Sequence, residues 1–169
     1  MKEIGIRELN INMYSMFADK WPLLTSGNKK DGYITMTISW GLAGSIWGHN
    51  MTTVIVYVRP QRYTKEFMDK NEYFTLSVLG ENYKKEVAYL GSHSGKDEDK
   101  IAKTGLHVEF IDNTSYIKES DIVIVCRKIY QDSLKEECFK DYDVMNSAYP
   151  KRDFHDLYVG EIVKVLFKD

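Results

Sequence analysis

The pair Asp31-Gly32, followed by the alternating run Tyr33-Ile-Thr-Met-Thr-Ile-Ser-Trp40, constrains this chain more than any other feature. An Asp-Gly pair ahead of an alternating segment signals a tight hairpin, here over Asn28-Lys-Lys-Asp-Gly32, so the strand over 33–40 pairs with one beginning at Leu23. Side chains on a strand alternate in direction: Thr35, Thr37 and Ser39 share one face, and Met36, Ile38 and Trp40 share the other. One face therefore carries only hydroxyls. Such a face is either solvated sheet surface or the wall of a polar-ligand site.

The rest of the chain reads as more strands than helices. Glu8 to Trp21 has the composition of a short helix or irregular arm closed by Pro22. Further strands are expected at Thr52–Val58, Phe74–Leu79, Ile122–Cys126 and Tyr158–Phe167, all rich in β-branched or aromatic residues. Short helices are expected over 65–70, capped by Thr64, over 81–90, and over 97–104, stopped by Gly105. Gly41-Leu-Ala-Gly-Ser-Ile-Trp-Gly48 reads as a loop whose glycines let another group approach the backbone. No GxGxxG follows a strand, and strands and helices do not alternate regularly, which argues against a doubly wound dinucleotide fold. The expected fold is mainly β with inserted helices, a small antiparallel barrel. With 169 residues, 43% of them apolar, one domain over 1–169 is the simplest organisation.

Charge and composition exclude several functions. A net charge of −2 gives no basic excess for a nucleic-acid partner. The charged N-terminus and the lack of a long apolar run give neither a leader peptide nor a membrane partner, so a cytoplasmic location is expected. Cys126 and Cys138 form no CxxC pair, and His49, His93, His107 and His155 lack ligand spacing; neither a disulfide nor a metal is expected.

Three segments offer the chemistry of a phosphate attached to a flat ring. Arg59 and Arg62 can fork onto phosphate oxygens. Thr64, as a helix cap, adds a hydroxyl beside free amides at a positive helix end. Gly91-Ser-His-Ser-Gly95 adds Ser92, Ser94 and exposed amides, and Lys100 lies close enough to fold back onto that loop. With an apolar or aromatic wall, these are the requirements of flavin mononucleotide (FMN).

Met-Thr-x-Ser-Trp-Gly at Met36 to Gly41, Arg-Pro-x-Arg-Tyr-Thr at Arg59 to Thr64, Gly-Ser-x-Ser-Gly-x-Asp-x-Asp-Lys at Gly91 to Lys100 and Tyr-x-Gly-Glu-Ile at Tyr158 to Ile162 occur in this order. Together they resemble the flavin reductase-like family of FMN-binding split-barrel proteins, which includes flavoredoxin. The N-terminal arm and the stretch from Lys135 to Lys151 lie outside these motifs. The resemblance implies a six-stranded antiparallel split β-barrel that forms a homodimer with FMN near the interface. It implies that Thr35, Met36, Thr37, Ile38, Ser39 and Trp40 face the flavin through backbone and hydroxyls. It also implies that Arg62, Thr64, Ser94 and Lys100 hold the phosphate end and that Trp40 and Tyr63 are the ring neighbours; Arg59, Ser92 and Gly95 join the expected cofactor site on their own chemistry. One departure is Ile34, where family members often carry Asn.

Because a flavin carries its own redox chemistry, no catalytic side chain is named; His93, His155, Tyr130, Gln131 and Tyr158 are candidates for secondary contacts. The expected activity is electron transfer from NADH or NADPH through FMN to flavin, ferric or protein acceptors. The alternative is a flavoredoxin-like electron carrier without its own nicotinamide site, and a third class is a barrel that serves as an interaction module without the cofactor.

Overall fold

In a computed structural model, residues 1–48 and 50–168 are described. The six segments read as strands all form: β2 (Leu23–Asn28), β3 (Gly32–Thr37), β5 (Thr52–Val58), β6 (Tyr73–Val78), β9 (Ile122–Ser133) and β10 (Asp156–Phe167). Two short strands, β1 (Lys2–Ile4) and β4 (Gly41–Ser45), join them, so the antiparallel sheet has eight strands where six were expected. Its pairing order is β3-β2-β6-β9-β10-β5-β4, with β1 along the far half of β10. A separate hairpin, β7 (Val108–Ile111) and β8 (Thr114–Ile117), covers one face.

The helices are short: α1 (Met13–Ser15), α2 (Tyr63–Lys70), α3 (Lys84–Ser92), α4 (Lys100–Thr104) and α5 (Tyr142–Ala148). The arm before β2 is irregular, with a single turn at α1 followed by a π-helical turn at Met16–Lys20. Gly105, at φ 72°, ends α4 as expected from its tolerance of left-handed backbone. The cap of α2 differs from expectation: Arg62 is the N-cap residue and Thr64 lies inside the first turn, buried.

Two distinct layers flank the sheet. On one face Leu24, Met36, Leu76 and Ile124 stand in register across β2, β3, β6 and β9 and form the main apolar core with Phe74, Val56 and Tyr158. On the other, Thr35, Thr25 and Thr75 form a threonine ladder across three strands, all fully buried. Thr25 Oγ1 donates to Thr35 Oγ1 at 2.9 Å, Thr75 Oγ1 donates to the Ser115 carbonyl at 2.7 Å, and Ser115 Oγ donates to the Gly27 carbonyl at 3.0 Å. The β7–β8 hairpin thus lies over these hydroxyls and satisfies them. The hydroxyl face of the 33–40 segment is therefore neither solvated surface nor ligand wall at Thr35, because burial without a partner costs a hydroxyl about 1–3 kcal/mol and every oxygen here is committed. Thr37 donates to the Val87 carbonyl of α3 but is only half-buried and still borders a surface groove.

The glycine segment after Trp40 is also corrected. Gly41–Ser45 is a strand paired with β5, not a loop. Its glycine does permit a close approach, but by Phe17: a Cβ at Gly41 would lie 2.2 Å from that ring. His49, read as one of four scattered histidines, lies outside the described residues.

Candidate functional site

With Thr35 turned inward, the end of β3 presents Ile34, Met36 and Ile38 to a surface groove, and Thr37 and Ser39 border it as well. Two adjoining cavities of about 230 and 310 Å³ share Met36 and Arg62. Together they fall in the range of small-molecule sites, about 300–1,000 Å³. One end is aromatic and the other cationic.

The cationic end is built by three chain segments. Arg62 precedes α2, and the amides of Tyr63 and Thr64 open that helix, where a positive partial charge favours anions. Arg62 Nη1 donates to the Gly91 carbonyl at 3.2 Å, tying the helix start to the turn after α3. Ser94 and Gly95 complete the wall, together with His93. Gly95 packs so tightly on Ile34 that a Cβ would stand 2.3 Å from Ile34 Cδ1, so Ile34 is the floor on which the loop rests. Beneath lies Lys100, whose ammonium donates to the Leu90 carbonyl at 2.7 Å and the His93 carbonyl at 3.1 Å.

Lys100 is the most informative residue of this end. It is 4% exposed, and among the described residues no carboxylate pairs with it or with Arg62. Glu98, whose charge acts on Lys100, is already engaged by Lys103 at 2.5 Å and by the Tyr89 hydroxyl at 2.6 Å. Burial, with the Arg62 guanidinium adding to it, pushes the Lys100 ammonium down to about 8. A buried cation without a counter-charge is costly, and an anion in the groove beside it would remove that cost. The residues therefore fit a phosphate: two cations, helix amides and small hydroxyls converge on one pocket.

The aromatic end is walled by Trp40, Tyr57, Met36, Ile38, Ser39 and His155. The Trp40 and His155 rings lie 4.6 Å apart at a 35° tilt, and Trp40 remains 43% exposed, an indole face open to a flat partner. His155 is buried, and desolvation with the nearby Arg59 charge lowers its imidazole to about 4. Its Nδ1 sits 2.7 Å from the Tyr149 hydroxyl.

Arg59 also borders this end, with its guanidinium engaged inside the protein. One guanidinium nitrogen pairs with Asp153, another donates to the Ala148 carbonyl at 2.9 Å, and the group stands 5.1 Å over the Tyr149 ring. Its charge is used to clamp the segment that carries Tyr149 and His155. Ser92 is likewise absorbed: its hydroxyl bonds the Ala88 and Tyr89 carbonyls at the end of α3. Tyr63 lies at the cationic end, edge-on to Phe67, away from Trp40. Tyr158 is in the core with its hydroxyl on Asp69, Gln131 bonds that same carboxylate, and Tyr130 packs on Trp47; none of the three borders the groove. Tyr57, Gln61 and Tyr149 were not foreseen. Parity along β5 holds the signal for Tyr57, which shares a strand face with Arg59.

The flavin reductase like domain family matches residues 13–169. Flavoredoxin of Desulfovibrio vulgaris (Miyazaki F) superposes with a TM-score of 0.68 at 18% identity, over 95% of this chain and 78% of its own. The FMN-binding domain of a flavin reductases-like enzyme from Shewanella baltica OS155 gives 0.68 at 14% identity, over 97% and 75%. A split-barrel-domain protein from Shewanella frigidimarina NCIMB 400 gives 0.68 at 17% identity, over 98% and 76%. At these identities the likeness establishes the fold, and no curated protein matches the chain. No helix among the described residues is long and apolar enough to cross a membrane. The match over nearly the whole chain, on a fold shared with FMN-binding split barrels, places this protein in the flavin reductase-like domain family.

Proposed function

We propose that this chain, acting as a single domain, binds FMN in the groove and works as an oxidoreductase that takes electrons from NADH or NADPH and passes them to free flavin, ferric complexes or a protein. The observation that carries this reading is the acid-free pair of buried Lys100 and exposed Arg62 at one end of a groove whose other end is aromatic. The two cations, with the Thr64 and Ser94 hydroxyls and the α2 amides, hold the phosphate. Met36 and Ile38 offer an apolar floor, and Trp40 an aromatic wall, to the ring system. Bound FMN supplies the redox chemistry, and the chain supplies position, electrostatics and access.

No carboxylate lines either half of the groove, in keeping with a site that orients a redox cofactor and needs no acid–base residue of its own. The exposed Trp40, which lines the aromatic end, suits a second copy of the chain covering the cofactor, as a homodimer. Titration of added FMN tests the reading: its fluorescence is quenched with a one-to-one endpoint, and riboflavin binds much more weakly. Unquenched FMN, or equal affinity for riboflavin, rejects it. Oxidation of NADH or NADPH with FMN present supports turnover, whereas tightly bound flavin reduced only by a partner protein indicates a carrier.

A further inference from the structure

The segment from Ala148 to Asp156 is held with more care than a groove rim requires. Arg59 fastens it at two points, donating to the Ala148 carbonyl and pairing with Asp153. Within it the Tyr149 side chain is 2% exposed, packed against Phe139 and Phe154, and its hydroxyl meets His155 Nδ1 at 2.7 Å. Burial raises the Tyr149 hydroxyl above the usual phenol range, so it keeps its proton. A neutral phenol is a stronger donor than acceptor and an unprotonated imidazole nitrogen is a strong acceptor, so across this contact the hydroxyl hydrogen turns toward Nδ1.

We infer that Tyr149 fixes the imidazole of His155 as the tautomer with its proton on Nε2, making His155 a neutral hydrogen-bond donor to a carbonyl oxygen of the flat heterocycle lodged against Trp40. The ring borders the groove with Nδ1 turned inward, and among the described residues no protein acceptor bonds Nε2. Desolvation and the Arg59 charge keep the ring neutral near pH 7. Tyr149 is thus a positioning residue acting through His155. The tautomer stands on these contacts alone; the identity of the heterocycle rests on the flavin reading above.

Histidine labelled with nitrogen-15, observed by long-range proton–nitrogen correlation, reads the tautomer directly, with the His155 signals identified by their loss in His155→Gln. The expected spectrum at neutral pH shows a pyridine-type Nδ1 and a pyrrole-type Nε2, and Tyr149→Phe shifts the ring toward a mixture of tautomers. A protonated Nδ1 in the unsubstituted protein, or a tautomer ratio unmoved in Tyr149→Phe, overturns the assignment. On adding FMN the Nε2–H proton moves downfield as it gains an acceptor. A saturated complex that leaves this proton unmoved overturns the donor role, whereas FMN that stays fluorescent with the tautomer intact sinks the flavin reading and leaves the tautomer supported.

Discussion

Arg59 and Arg62 are separated by two residues and have opposite fates. Arg59 spends its guanidinium on Asp153 and the Ala148 carbonyl, while Arg62 makes one bond to the Gly91 carbonyl and pairs with no acid among the described residues. The difference extends to the two halves of the groove: the aromatic half is internally neutralised and braced, and the half around Arg62 and Lys100 carries uncompensated charge. Binding capacity for an anion therefore follows from what each cation lacks in the folded chain, not from the number of basic residues in a motif.

The largest effect expected from this comparison is the cost of removing the anion itself. If Arg62 and Lys100 each make a contact to phosphate worth about 1.5–3 kcal/mol, riboflavin binds more weakly than FMN by roughly 3–6 kcal/mol, as measured by fluorescence titration. Next in size are single substitutions at that end. Lys100→Met and Arg62→Ala each reduce FMN affinity by about 1.5–3 kcal/mol and narrow the gap between FMN and riboflavin. Arg59→Met shows the contrast: it lowers unfolding stability by about 1–3 kcal/mol, because Asp153 and the Ala148 carbonyl lose their donor, and leaves the FMN-to-riboflavin affinity ratio unchanged. A ratio that collapses in Arg59→Met would erase the distinction between the two arginines.

The same asymmetry predicts a pH dependence. With Lys100 lowered to about 8, the free protein loses that charge as pH rises through 8, well below the ordinary lysine value of 10.5. Phosphate binding favours the ammonium, so FMN affinity is flat between about pH 7 and 8, where the phosphate is already a dianion, and falls by up to tenfold per pH unit above that, until the pKa of the complex is reached. Stability of the free chain runs the other way. The unfolded chain holds the proton more tightly, so the penalty of the buried ammonium is full below pH 8 and fades between about 8 and 10.5. Lys100→Met removes both slopes, which denaturant titrations and FMN binding at a series of pH values check.

What the sequence revealed divides along a similar line. The six long strands were legible because β-branched runs and turn residues act locally, whereas β4 was read as a loop because Gly41-Leu-Ala-Gly-Ser lacks strand propensity and is held by pairing with β5 and the fit of Phe17 against Gly41. Arg62, Thr64, Ser94, Gly95 and Lys100 were legible as one end of a site, since their motifs bring hydroxyls, amides and cations to helix starts. The fate of Arg59 was not legible, because its acid partner lies at position 153 on another segment. The direction of β3 was misjudged for the same reason: period two gives the two faces, but only the β7–β8 hairpin, remote in sequence, decides which is covered.

That misjudged face supplies the smallest expected effect and the sharpest test of where the groove begins. Thr35 Oγ1 accepts from Thr25 Oγ1 and donates to the Leu24 carbonyl at 3.3 Å, fully buried under the hairpin, while Ile34 and Met36 on the opposite face of β3 line the groove. Thr35→Val keeps the shape, removes one hydroxyl and leaves Thr25 without its acceptor, which costs about 1 kcal/mol of stability. FMN affinity stays within about twofold, because no ligand contact is touched; thermal unfolding and the same fluorescence titration, run side by side, separate the two quantities. A fall in affinity matching or exceeding the loss of stability would mean that this hydroxyl reaches the ligand after all, and that the threonine ladder, not the apolar side of β3, forms the wall of the site.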